Sequence, residues 1–109
     1  MKIAVTAKGA GLGAWLDANF ETCLQIVIVD DSDRFEAWMN PYREASLIDG
    51  PLLAEKLVEE KVDRLVTGMI SHPSLEKLKE ANIQVYLAQH GSILELVEAA
   101  RNQALTLAE

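Results

Sequence analysis

The sequence has 109 residues, half of them hydrophobic, which is enough for one domain with its own core over residues 1–109. Ten basic against 17 acidic side chains give a formal charge of −7, which argues against nucleic acid as the main partner. The single cysteine, Cys23, excludes an internal disulfide, and no apolar run approaches the length of a membrane span. We therefore expect a cytoplasmic protein.

The first predicted element is a short apolar strand around Ile3–Val5, which leads into a glycine-rich loop. Glycine permits backbone conformations with positive φ and leaves neighbouring amides uncovered, so this loop is a candidate ligand site. The stretch Leu24–Asp31 is nearly all apolar and rich in branched residues, which predicts a central strand. Turn residues follow it, and Arg34–Met39 is expected to complete a hairpin.

The second half of the chain alternates helices with strands. Asp49-Gly50-Pro51 predicts the start of a helix that runs to about Lys61, and Asp63–Gly68 is a short strand. A second helix should begin near Pro73 and end near Asn82, which suits a left-handed backbone conformation. Ile83–Ala88 is the last predicted strand, and a capping box at Ser92–Glu95 should open the final helix.

These elements predict an α/β fold with one mixed five-stranded sheet in the order 3-2-1-4-5 and helices on its faces. The hairpin makes strand two antiparallel, whereas helical crossovers make strands one, four and five parallel. The glycine loop, the start of strand two near Cys23 and the loop at Met69–His72 would then share one sheet edge. Ligands of open α/β sheets bind at such carboxyl edges.

The stretch from Gly9 to Ala14 also satisfies the dinucleotide-binding pattern G-x-G-x-x-G/A, and Asp30 lies 21 residues after the first glycine. Three features argue against a dinucleotide-binding protein. The segment after the glycines lacks a clear helical stripe, the next strand turns directly into another strand, and the chain is short for two nucleotide-binding halves.

Four stretches together resemble the dinitrogenase iron-molybdenum cofactor biosynthesis family. They are MKIAVTAKG, LDANFETC with the following IVIVDD, LLAEKLVEEKVDRLVTG, and HPSLEKLKEANIQVYLA. The resemblance implies a ribonuclease-H-like fold and a cytoplasmic carrier of an iron-sulfur or iron-molybdenum-sulfur cluster in metallocluster assembly related to nitrogen fixation. Its partners would be proteins that donate or accept the cluster. The family usually has Phe-Gly-Arg where this chain has Phe20-Glu21-Thr22 before Cys23, so a glycine and a cation are replaced here.

The predicted site combines exposed backbone with a soft ligand. The residues expected to bind the cofactor are Gly9, Gly11, Gly13, Phe20 and Cys23. The predicted metal ligands are Cys23, which could bond a preassembled cluster as thiolate, and His72. Two plainer interpretations stay open: Cys23 as a small buried hydrophobe at a strand start, and His72 as an exposed residue at a helix start.

No catalytic residues are predicted. Two-metal nuclease chemistry requires clustered carboxylates, but strand one carries no acid and strand four ends in Thr67-Gly68. The leading hypothesis is a small non-enzymatic cluster carrier. The alternatives are a ligand-free structural or regulatory interaction module of the same fold and, third, a dinucleotide-binding protein.

Overall fold

The computed structural model describes residues 1–44, 46 and 48–109. Within them the chain forms six strands and three helices, in the order β1 (Ile3–Ala7), β2 (Gln25–Val29), β3 (Phe35–Met39), α1 (Gly50–Glu59), β4 (Arg64–Thr67), α2 (His72–Glu80), β5 (Gln84–Leu87), α3 (Ile93–Arg101) and β6 (Thr106–Leu107).

All six strands join one mixed sheet in the order β3-β2-β1-β4-β5-β6. β1 pairs antiparallel with β2 and parallel with β4, as the sequence predicts. The prediction of five strands is wrong, because β6 pairs antiparallel with β5 through Tyr86↔Leu107 and Leu87↔Thr106. A strand of two exposed residues carries no alternating pattern of its own, so only its proximity to β5 after α3 reveals it. The ribonuclease-H-like assignment stays a prediction.

The sheet separates two hydrophobic cores. On one face α1 and α2 pack through Leu53, Leu57, Leu75 and Leu78 against alternate residues of the strands. On the other face α3 packs through residues that include Ile93 and Val97. The three-layer arrangement is what apolar strands buried on both sides require.

Local chemistry explains where the helices begin and end. The Asp49 carboxylate accepts a hydrogen bond from the Leu52 N–H at 3.0 Å, which caps α1, and the predicted capping box of α3 at Ser92 and Glu95 is present. α2 begins one residue earlier than predicted, with Ser71 rather than His72 at the N-cap position. Asn82 has φ of 61°, which confirms its predicted left-handed conformation.

The structure contradicts the dinucleotide-binding alternative. Residues 11–22 contain no helix, and β2 is antiparallel to β1, so no βαβ unit follows the glycines. The Asp30 carboxylate instead accepts hydrogen bonds from the N–H groups of Ser32 and Arg34, at 2.8 and 3.0 Å, and shapes the hairpin turn. Among the residues described, no helix is long and apolar enough to cross a membrane.

Candidate functional site

The connection between β1 and β2 crosses the carboxyl end of the sheet. Isolated bridges join its middle to the start of α3 through Trp15↔Ser92 and to the end of β4 through Asn19↔Met69. Beneath it, the buried Thr6 hydroxyl donates to the Asp17 carbonyl at 2.7 Å and lies 2.9 Å from the Thr67 hydroxyl oxygen. This segment therefore forms the surface that a ligand at this end of the sheet would meet.

The glycine loop, residues 9–13, is held to the start of α3 through a carbonyl group of the loop and one of the adjoining Ala14. The Leu12 and Ala14 carbonyls accept hydrogen bonds from the Leu94 and Ile93 N–H groups at the start of α3, at 3.1 and 2.9 Å. Within the described part of the chain, none of the five N–H groups of residues 9–13 donates to a protein acceptor. The loop thus presents a run of uncommitted backbone donors.

The glycines of this loop are not explained by backbone strain. None has φ in the left-handed region, so the conformational freedom anticipated from the sequence is not used. Among the described residues, a Cβ added to Gly11 or Gly13 would meet nothing within 4 Å, and one on Gly9 would meet only the Ala14 Cβ, at 3.3 Å. The fold itself therefore has room for side chains at Gly11 and Gly13.

Phe20 and Cys23 lie in the core beneath α1 and α2, and both are 0% exposed. Burial, and to a smaller extent the nearby Asp17 carboxylate, together raise the pKa of the Cys23 thiol to about 12. The Asn40 side-chain amide donates a hydrogen bond to the Cys23 sulfur, at 3.8 Å. Cys23 is therefore a neutral, enclosed thiol here; this counts against direct coordination, and its ligand role stays a prediction.

His72 is the first residue of α2, and its side chain is 78% exposed. Its Nε2 lies 3.3 Å from the Glu76 carboxylate, one helical turn further on. Among the residues described, no group of three or more His, Cys, Asp and Glu side chains is arranged to hold a metal ion. His72 is accessible but isolated from the other predicted ligands.

Glu21 has a structural role that sequence reasoning missed. Its carboxylate accepts hydrogen bonds from the Ser71 N–H at 3.1 Å, the Ser71 hydroxyl at 3.0 Å and the Ser74 hydroxyl at 2.6 Å, at the N-terminus of α2. It also lies against Gly50 at the start of α1, where an added Cβ would come within 2.5 Å of Glu21 Oε2. An acid followed by two serines fifty residues later gives no sequence signal for such a contact.

The predicted site residues share one end of the sheet but divide between its two faces. The glycine loop packs through Leu12 and Ala14 against the core on the α3 side. Phe20 and Cys23 belong to the opposite core, and His72 lies on the solvent side of α2. A separate cavity of about 550 Å³ opens beside them, between the ends of β4 and β5 and helix α3, lined by Gly68, Leu87, Ala88, Gln89, His90, Leu96, Leu105 and Thr106.

The family assignment rests on a match over almost the whole chain. The family described as "Dinitrogenase iron-molybdenum cofactor" matches residues 1–103, and the chain belongs to this family. No curated protein matches the sequence at a significant level.

Solved structures agree with the fold. The apo form of the orange protein from Desulfovibrio gigas has a TM-score of 0.90 and 26% identity, over 98% of this chain and 92% of that one. A Thermotoga protein of the DUF35 family, described as a candidate NifB protein, has a TM-score of 0.82 and 24% identity, over 97% of this chain and 91% of that one. The family description associates the chain with the iron-molybdenum cofactor of dinitrogenase.

Proposed function

We propose that this protein is a small, non-enzymatic carrier that holds an iron-sulfur or iron-molybdenum-sulfur cluster at the glycine loop and exchanges it with donor and acceptor proteins. The observation that carries the proposal is the run of five uncommitted N–H groups at residues 9–13 in a member of this family. Sulfide and oxyanion groups at the surface of a preassembled cluster are acceptors for such donors.

The absence of side chains at Gly11 and Gly13 supports direct contact between a cluster and the backbone. Gly11 and Gly13 have open space where a side chain would stand, so packing gives no reason for glycine there. A ligand that approaches the main chain closely does give one, because a Cβ would hold it away from the N–H groups. A cluster bound in this way needs few protein bonds to metal, since its own sulfides already bridge the metal ions.

The negative net charge of the protein makes hydrogen-bond donors close to the ligand important for binding an anionic cluster. A net charge of −7 repels an anionic cluster at long range, while the N–H dipoles of the loop attract it at short range. Added salt screens the long-range repulsion more than the short contacts. Uptake of an anionic cluster should therefore strengthen as ionic strength rises from low values.

The test is anaerobic reconstitution with a preformed cluster, followed by metal and sulfide analysis and visible absorbance. Gly11→Val and Gly13→Val should lower cluster occupancy at least several-fold while circular dichroism and unfolding remain those of the parent. Ala104→Val, which introduces the same valine at an exposed position beyond α3, is the control and should bind like the parent. Undiminished uptake by both glycine variants would rule out the loop as the site.

Cys23 and His72 are tested in the same experiment. If the buried thiol stays enclosed, Cys23→Ala should retain the cluster, whereas loss of uptake by a folded Cys23→Ala variant would restore Cys23 as the ligand. His72→Ala should reduce uptake only if the exposed ring closes over the loop. Each result assigns or removes one of the two predicted metal ligands.

A ligand-free interaction module is the second candidate function. It is favoured by Glu21, which stands where relatives usually carry glycine and fills the N-terminus of α2 with the protein's own carboxylate. On this interpretation the parent protein takes up no cluster at any salt concentration.

A further inference from the structure

The outer edge of β3 is the longest unpaired strand edge of the sheet within the described residues. β3 lies at one end of the strand order and spans five residues, whereas β6 at the other end spans two. β3 contains no proline or lysine, and its Phe35 and Met39 side chains are 46% and 54% exposed. Proteins usually protect such an edge with charges, proline or a very short strand.

The hydrogen-bond pattern shows which residues face outward. The Asp30 N–H donates to the Arg34 carbonyl at 2.9 Å, and the Asn40 N–H donates to the Leu24 carbonyl at 3.1 Å. In this antiparallel ladder the even-numbered residues of β3 therefore bond to β2. The N–H and C=O groups of Phe35, Ala37 and Met39 point to the open side.

We propose that a second copy of this chain pairs with that edge, antiparallel, about a two-fold axis at Ala37. In this register Ala37 faces the partner's Ala37, and Phe35 faces the partner's Met39, so all three outward residues exchange main-chain hydrogen bonds. The same pairing places Phe35 of each copy beside the methionine sulfur of the other on the α3 side of the sheet, a favourable contact. The segment is self-complementary, which is what a two-fold interface demands.

Charge on the other face of the sheet fits the same register. Glu36 would lie opposite the partner's Trp38, on the face that packs against α1. The Lys56 ammonium stands over the Trp38 ring, 5.1 Å from its centroid. Each copy would therefore bring the Glu36 carboxylate next to the Lys56 ammonium of the other, twice by symmetry.

The arrangement leaves the ligand sites separate. β3 runs parallel to β1, so its Met39 end lies at the same sheet edge as the glycine loop. Antiparallel pairing of two β3 strands points these edges in opposite directions. Each chain of the dimer keeps its own glycine loop, so dimerisation and cluster uptake can be measured independently.

The test is mass measurement by light scattering or sedimentation across a dilution series of the whole protein. The expected result is a mass rising from 12.0 kDa toward twice that value with concentration. Met39→Lys should weaken the dimer at least tenfold, because it sets an ammonium against Phe35 of the other copy. Met69→Lys is the matched control, because it makes the same change at another exposed methionine, and it should leave the dimer intact.

Two further measurements fix the register. Glu36→Lys should weaken the dimer, and adding Lys56→Glu in the same chain should restore it. Amide exchange of Phe35, Ala37 and Met39 should slow as concentration rises, while Glu36 and Trp38 stay protected throughout. A single-chain mass up to about 1 mM overturns the proposal, as does a dimer in which the three outward amides exchange freely.

Discussion

Two regions at the same end of the sheet use glycine for different reasons. One region is the Glu21 junction, which consists of Glu21, Gly50, Gly68, Ser71 and Ser74. Its two glycines are closely surrounded by other atoms. A Cβ on Gly68 would come within 2.5 Å of the Ala18 carbonyl oxygen, and one on Gly50 would collide with Glu21 and Ser74. In the glycine loop, a Cβ on Gly11 or Gly13 would meet no described atom within 4 Å. Packing therefore requires glycine at the junction, whereas no contact among the described residues requires it at Gly11 or Gly13.

The largest expected effect is at the junction. Gly68→Ala should lower the free energy of unfolding by about 3 kcal/mol, because the added methyl group meets main-chain atoms that cannot move aside without breaking the Met69–Ala18 hydrogen bond. Urea denaturation measures this change in the free energy of unfolding. Gly13→Ala is the control, and equal losses in the two variants would contradict the distinction between the regions.

Glu21→Ala should cost about 2 kcal/mol, because the Ser71 N–H and the Ser71 and Ser74 hydroxyls lose a charged acceptor at the N-terminus of α2. Glu21→Gln keeps the shape and one acceptor oxygen, so it should recover part of the loss. Thermal unfolding of the two variants measures the difference. An alanine variant as stable as the parent would show that the junction contributes no stability.

The thiol of Cys23 should make stability depend on pH in the alkaline range. Burial holds its folded pKa at about 12, against 9.0 for the unfolded group, so the contribution to stability is complete below pH 9.0 and is lost as pH rises toward 12. The slope is about 1.4 kcal/mol per pH unit above the unfolded pKa. Denaturation of the parent and of Cys23→Ala between pH 8 and pH 10 measures the contribution of the thiol to the free energy of unfolding, since the alanine variant lacks the thiol.

The smallest effect on stability is expected in the glycine loop. Gly11→Ala should raise the free energy of unfolding by about 0.5 kcal/mol, because alanine restricts the unfolded chain while its methyl group meets nothing in the folded one. In the same variant we expect cluster uptake to fall while stability rises. A loss of more than 1 kcal/mol on denaturation would mean that Gly11 serves the fold after all.

Much of the fold followed from local sequence patterns. The branched, apolar β2 stretch, the caps at Asp49 and Ser92 and the left-handed Asn82 each carry their signal within a few residues. Much of the strand order followed because the tight turn makes β2 and β3 antiparallel neighbours and helical crossovers make β1, β4 and β5 parallel. The glycine loop was placed correctly at the carboxyl edge for the same reason.

Tertiary structure alone decided the surroundings of the site. Whether Cys23 is exposed or enclosed depends on how α1 and α2 cover the start of β2, and the position of Cys23 in the sequence is compatible with both. The partners of Glu21 lie fifty or more residues away, and β6 exists only because the chain returns beside β5 after α3. Local sequence patterns reflect interactions between residues that are close together in the chain. Burial and long-range hydrogen bonds depend on which surfaces meet, and that is settled only when the whole chain packs.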